Sequence, residues 1–208
     1  MGVKLYGVPG SPNVRGAMLG LAEKGVGYEL VPVLPSDFKK PEHLALNPFG
    51  RVPVLDHDGF VLYETQAILR YVDEAFPGPA LQPANAREAA RMNQIIGMID
   101  CYLFQSWSNE ISIERLVAPN FFGRPSNLDR IQAAAPMARA CAEALEAVIS
   151  TPYLTGGAFS LAEMRLMPHF DWFRLTPEGE TILADKSKLA RWFENVSERP
   201  SAKAVLQH

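Results

Sequence analysis

What most constrains this chain is the point at which its strand signals stop. Short strand-like and helix-like patterns alternate through the first 77 residues, and beyond Pro77-Gly78-Pro79 the strand signals vanish. A chain patterned this way builds a small α/β unit and then a helical one. Val3-Lys4-Leu5-Tyr6-Gly7 alternates like a half-buried strand, and a turn rich in Pro and Gly follows, Val8-Pro9-Gly10-Ser11-Pro12. Val14, Ala17, Met18, Leu21 and Ala22 then recur at helical spacing, and Gly25 predicts the stop. Tyr28 to Val33 reads as a second strand, and Lys39-Lys40-Pro41-Glu42-His43 as an irregular polar segment. Val52-Pro53-Val54-Leu55-Asp56 reads as a third strand. Asp58-Gly59 is a hairpin signal leading to a fourth, Phe60-Val61-Leu62-Tyr63. A helix is predicted from near Glu64 to about Ala75.

The order is therefore βαβ, then ββα, then all helix. A crossover helix makes the first strand pair parallel and a hairpin makes the last antiparallel, which predicts a mixed four-stranded sheet. The expected domains are residues 1–77, a linker at 78–86, and an all-helical part at 87–208. Met92, Ile95, Ile96, Ile99, Leu103, Trp107 and Ile111 form a long helical stripe in that part, and an Ala-rich helix is predicted from Leu128 to Ile149.

Composition excludes several function classes. Lys+Arg total 20 against 23 Asp+Glu, for a net charge of -3. That balance lacks the basic surface that phosphate neutralisation needs, so no nucleic-acid partner is expected. No apolar run approaches the roughly 20 residues of a membrane span, and no secretory pattern follows Met1, so a cytoplasmic protein without a membrane partner is expected. Cys101 and Cys141 are too few for a disulfide framework or a cysteine-rich zinc site, and both read as small buried core residues. His43, His57, His169 and His208 show no ligand spacing, so no metal is expected. Trp172 and Trp192 read as core. Asp100 interrupts the apolar stripe and faces either a partner subunit or an active-site cleft.

Three short segments carry the chemistry. Ser11 follows a strand and a tight turn and precedes Pro12, a good first helical residue, so it is a candidate N-cap. The same helix start stabilises an anion, and a hydroxyl there can donate to a thiolate, with Asn13 a further donor nearby. Pro53 opens a strand expected inside the sheet, where a proline loses a ladder hydrogen bond. A cis Val52-Pro53 bond accounts for it and turns the Val52 backbone outward, free to pair with an extended peptide. Glu64 and Thr65 sit where a strand becomes a helix. Thr65 is a candidate cap, and the pair is a candidate zwitterion clamp: Glu64 for an ammonium, Thr65 and the helix N–H groups for a carboxylate.

In this order and spacing the segments resemble the soluble glutathione transferases. Lys4-Leu5-Tyr6-Gly7-Val8-Pro9-Gly10-Ser11 is similar to their first strand and catalytic turn. Asn47-Pro48-Phe49-Gly50-Arg51-Val52-Pro53-Val54-Leu55 is similar to their cis-proline signature, and Tyr63-Glu64-Thr65-Gln66-Ala67-Ile68 to their Glu-Ser/Thr signature. Tyr153 to Glu163 resembles their buried capping box, with Ser160 as cap and Glu163 in place of the usual Asp. The resemblance spans essentially the whole chain. It implies a thioredoxin-like N-terminal domain, an all-α C-terminal domain and a homodimer. Glutathione is the implied co-substrate, with no bound cofactor, and the second substrate is a small hydrophobic electrophile.

Carried over by motif, Ser11 is the catalytic residue, Val52 pairs with the cysteinyl backbone beside Pro53, and Glu64 and Thr65 hold the γ-glutamyl end. Lys39, with Arg51, faces the glycine carboxylate, although Phe38 stands where the plant serine class has a nearby histidine. Phe104, Trp107 and Ile111 are candidates for the second-substrate pocket because they lie on the long stripe, and Phe121 and Phe122 because they follow it. Ser11 fits the serine-type classes, phi-like or a related bacterial class whose turn reads Thr-Pro-Asn. Tyr6 is either a thiol activator or sheet packing. The readings left open are a glutathione transferase, a glutathione-dependent disulfide or peroxide reductase, and a non-catalytic partner-binding protein of the same fold.

Overall fold

The computed structural model describes residues 2–206; His208, weighed above as a metal ligand, lies outside the described residues. The chain divides into two compact units, one formed by residues up to 81 with those from 200 onward, the other by residues 82–199.

In the first unit, β1 (Val3–Gly7), β2 (Glu29–Pro32), β3 (Val54–His57) and β4 (Phe60–Tyr63) form one sheet of order β2-β1-β3-β4. β1 runs parallel to β2 and antiparallel to β3, which is antiparallel to β4. This is the mixed, thioredoxin-like sheet that the sequence order implied. Asp58 and Gly59, both at positive φ, make the two-residue turn between His57 and Phe60. β3 begins two residues later than its hydrophobic run because Pro53 has no N–H to give the ladder.

Helices α1 (Pro12–Glu23) and α3 (Thr65–Ala75) close the core, which joins Val3, Leu5 and Leu55 of the sheet to Val14, Ala17, Leu21, Ile68 and Val72. α1 ends two residues before Gly25, whose φ of 65° suits the left-handed position after a helix. The segment expected to be irregular contains a short helix, α2 (Pro41–Leu46). Pro41 supplies its first position, and burial of His43 holds it, which a reading of polarity alone does not register.

In the second unit, α4 (Ala86–Met98) continues into a π-helical segment, Ile99–Val117, and the short α5 (Ala118–Phe121). At its end the Ala118 N–H reaches the Ile113 carbonyl five residues back. Ser112 repeats that spacing, its hydroxyl donating to the Trp107 carbonyl at 2.7 Å. α6 (Leu128–Val148), α7 (Leu161–Phe173), α8 (Pro177–Leu183) and α9 (Ser187–Ser197) complete the unit. α7 is the central helix, buried at every position except half-buried Trp172, so only Trp192 of that pair is full core. The expected capping box starts α7: Glu163 accepts from the Ser160 N–H at 2.8 Å and hydroxyl at 2.7 Å, and from the Leu154 N–H at 2.6 Å. Those donors offset the burial that pushes the Glu163 carboxyl up.

Two sequence readings are corrected. The last helix, α10 (Pro200–Val205), packs on α1 in the first unit, where Ser201 donates its hydroxyl to Glu23. Cys101 is exposed, whereas Cys141 is buried with its thiol pushed up by desolvation. Asp100 is exposed and forms an ion pair with the buried Arg165.

His169 is fully enclosed on α7, with Nδ1 2.7 Å from the Ser108 hydroxyl and Nε2 without a partner. Burial, with the Arg165 charge, holds its pKa well below 6.5. The folded state thus stays neutral where the unfolded state takes up a proton. Its contribution is complete above the unfolded pKa and is lost as pH falls below about 6.5. Wild-type stability should drop by about 1.4 kcal/mol more than that of His169→Gln between pH 7.5 and 5.5, read by urea unfolding at each pH.

Candidate active site

The sheet register gathers the three segments at one end. Tyr6 of β1 pairs with Val54, which pairs with Tyr63 of β4, and Gly7 pairs with Pro32 of β2. The chain therefore leaves β1 toward Ser11, leaves β2 toward Lys39, enters β3 from Val52 and leaves β4 into Glu64, all on the same side.

The first turn is tight. A Cβ on Gly7 would stand 2.5 Å from Val14 Cγ2, so α1 returns this close only because residue 7 has no side chain. The Ser11 N–H donates to the Val8 carbonyl at 2.9 Å, and buried Arg15 donates Nε–H to the Pro9 carbonyl at 3.2 Å. Ser11 occupies the N-cap position of α1, yet its side chain makes no capping hydrogen bond. The capping account of this serine therefore does not hold, and its hydroxyl is not consumed by the helix.

At the second corner the N-cap is Glu64, not Thr65. Its backbone has φ 71° and ψ 116°, a region that L-residues seldom enter, and its exposed side chain makes no capping bond. Thr65 is the first helical residue, and its hydroxyl donates to the Asn13 carbonyl at 3.3 Å. That bond joins the second residue of α1 to the first of α3. Two helix N-termini thus lie side by side, neither capped by a side chain and each with a partial positive charge of about half a unit. With the Thr65 hydroxyl proton spent on Asn13, the α3 backbone amides are the donors left for an anion there.

The third segment bends around Gly50, at φ 59°, where a Cβ would stand 2.5 Å from the Phe38 carbonyl. The Val52-Pro53 bond is cis, as expected. Val52 is half-buried just ahead of β3, and among the described residues nothing pairs with its N–H or C=O. Lys39 is exposed, with Nζ 3.3 Å from the Phe49 carbonyl, and Arg51 is exposed beside it in the chain. Sequence reading missed the residues beneath this bend. His43 Nε2 and Asn47 Nδ2 both reach the Arg51 carbonyl, at 2.9 and 3.0 Å. Asn47 lay inside the quoted signature, but nothing in the sequence pointed either side chain at a carbonyl.

The helical unit treats its helix starts differently. Asn85, Asn127, Ser160 and Thr176 cap α4, α6, α7 and α8 with their side chains, and Glu146 accepts from the Lys188 and Leu189 N–H groups at the start of α9. The starts of α1 and α3, like that of α2, carry no side-chain cap and leave their dipole ends open to an anion. The expected pocket residues divide. Trp107 and Ile111 have no exposed surface: Trp107 stacks on Phe173 at 4.4 Å and donates to the Ala138 carbonyl, so neither meets a substrate. Their helical spacing reported the packed face. Phe104 is half-buried against His169, and Phe121 and Phe122 are exposed. Among the described residues no cluster of three His, Cys, Asp or Glu is placed to hold a metal ion.

A thioredoxin-like sheet with an anion-ready corner and a helical unit behind it in the chain defines a class of two-part proteins. The chain matches the glutathione S-transferase N-terminal domain over residues 1–74 and the C-terminal domain over residues 128–195. It is 33% identical to glutathione S-transferase 4 of Zea mays, over 99% of this chain and 92% of that protein. Its fold is similar to glutathione transferase F7 from Populus trichocarpa, with a TM-score of 0.87, 30% identity, and 98% and 97% of the two chains covered. It is also similar to glutathione S-transferase-I bound with lactoylglutathione, at a TM-score of 0.86 and 29% identity over 99% and 98%. The chain belongs to the glutathione S-transferase family.

The Glu64 backbone supplies a test independent of any ligand. A residue held at such a φ costs roughly 1–3 kcal/mol, and glycine removes most of that. Glu64→Gly should unfold at higher urea, by about 1 kcal/mol, and Glu64→Val at lower urea.

Proposed function

We propose that the corner formed by Ser11, Val52 and Glu64 binds glutathione, and that the chain is a glutathione transferase acting on a small apolar electrophile. The observation that carries this is the joined pair of helix starts, uncapped by side chains, with the Ser11 hydroxyl free of its helix. Glu64 takes the γ-glutamyl ammonium and the first-turn amides of α3 its carboxylate. The Val52 backbone pairs with the cysteinyl residue beside Pro53. Lys39 and Arg51 meet the glycine carboxylate, and Asn13 adds polarity near the thiol. The relative solved with lactoylglutathione supports a site for a glutathione-bearing ligand. Residues 1–77, rejoined by α10, form the glutathione-binding domain, 78–86 the linker and 87–199 the helical domain, with Phe104 and the exposed Phe121 and Phe122 as candidates for the electrophile pocket.

Ser11 acts by hydrogen bonding, not as a base. A thiol near pKa 8.5 needs a fall of about two units to be mostly thiolate at neutral pH, which is about 2.7 kcal/mol. A hydrogen bond to a charged group supplies roughly 1.5–3 kcal/mol, and the α1 dipole adds up to about 1. The Ser11 hydroxyl and the helix end suffice together. The sulfur lone pair then attacks the electrophilic carbon, the leaving group departs with its electrons, and the thiol proton is released to solvent. The exposed Phe49 offers apolar surface on the first unit for a second copy, in line with a homodimer. A cytoplasmic detoxification role accords with the net charge of -3 and with the lack, among the described residues, of any helix long and apolar enough to cross a membrane.

Ser11→Ala should lower turnover of a halogenated aromatic with glutathione by tenfold to a hundredfold while glutathione still binds in calorimetry. Glu64→Ala should abolish that binding. Unchanged turnover in the first variant would remove Ser11 from the role, and an absence of binding by the wild type would remove the site.

A further inference from the structure

Both donors under the cis-proline bend converge on one atom, the Arg51 carbonyl oxygen. A carbonyl only accepts, so His43 carries its proton on Nε2 in this contact. Asn47 orients its amide the same way, because its Oδ1 accepts from the Phe49 N–H at 3.0 Å and leaves Nδ2 to donate. His43 is 5% exposed and Asn47 1%, and the Phe38 ring packs beside the His43 ring, tilted by 30° with centroids 5.9 Å apart. Both side chains are buried, and the donors of both are aimed at one peptide group.

The Arg51-Val52 peptide is trans, so its C=O and the Val52 N–H lie in one plane and point in opposite directions. Fixing the carbonyl inward fixes the N–H outward. We infer that His43 and Asn47 are positioning residues for the substrate: through the Arg51 carbonyl they aim the Val52 N–H at the cysteinyl carbonyl of glutathione. This rests on the glutathione-binding reading above. A single donor would leave the peptide free to rock about that bond, whereas two donors from different directions, one on α2 and one at its end, remove the rocking. The rigid amide is set before the ligand arrives, which lowers the ordering cost of binding.

The test compares glutathione with an analogue whose cysteinyl C=O is reduced to CH2, leaving the Val52 N–H nothing to donate to. Binding of both is measured by calorimetry on wild type, Asn47→Asp, His43→Leu and His43→Gln. Asp in place of Asn47 keeps the acceptor for Phe49 and removes the donor to Arg51 with almost no change of shape. Gln at 43 restores an N–H of similar reach.

Asn47→Asp and His43→Leu should each weaken glutathione about tenfold, a lost hydrogen bond's worth, with KM raised and kcat at saturating glutathione little changed. His43→Gln should recover most of that loss. The analogue should bind wild type more weakly than glutathione, and both disabling variants should bind it no worse than wild type does. Equal weakening of glutathione and analogue would overturn the inference in favour of a general role in the fold, as would wild-type affinity in Asn47→Asp. If His43→Leu does not fold, Asn47→Asp and His43→Gln decide alone. Failure of the wild type itself to bind glutathione, or binding unaffected by Glu64→Ala, would instead bring down the underlying reading.

Discussion

The structure turns on backbone amides that are left without intrahelical partners. Every α-helix begins with N–H groups that its own carbonyls cannot reach, and folding normally meets them with a side chain. The helical unit does so at the starts of α4, α6, α7, α8 and α9. The sheet unit leaves α1 and α3 open and ties them together through Thr65 and Asn13. Two like partial charges side by side are unfavourable until an anion sits between them. The fold carries that cost, which the proposed anionic ligand would offset, and Glu64 with its unusual φ lies at the same corner.

Around this corner the sheet works as a jig. Antiparallel pairing of β3 with both β1 and β4 sends the ends of β1 and β4 and the start of β3 to one side. The spacing of Ser11, Val52 and Glu64 is thus set by strand register, which shifts only in two-residue steps where one face is buried. The helical unit is organised by saturation. Glu114 has no exposed side-chain surface and accepts from Arg124, Arg130 and the Asn127 N–H, which holds its carboxyl down at about 2. Those bonds fix the turn between α5 and α6.

The sheet unit was legible in sequence because its signals are local: alternation in β1, Asp58-Gly59 in the hairpin, Gly25 after α1, and a proline opening β3. The capping box at Ser160 and Glu163 was legible for the same reason. What escaped depends on distant partners. α2 starts polar, with Glu42 and His43 after Pro41, and the burial of His43 beneath the bend is not visible in its sequence. Glu64, not Thr65, caps α3, because sheet geometry places the last non-helical residue there. Trp107 and Ile111 lie on a stripe that periodicity identifies as apolar without saying what covers it, and α6 and α7 cover it completely. Cys101 occupies a helical face that sequence cannot orient.

The placement of α10 has a topological consequence. Because residues from 200 onward rejoin the first unit, the helical unit is an insertion within it, bounded by two crossings of the chain at 81/82 and 199/200. The first crossing is anchored: Asp73 accepts from the Leu81 N–H and from Lys24, which also donates to the Pro79 carbonyl. The natural cut between the units is therefore a pair of cuts, not one. A fragment ending at residue 81 is a sheet unit stripped of the helix that shields one flank of α1, and it would begin life with a fresh apolar scar.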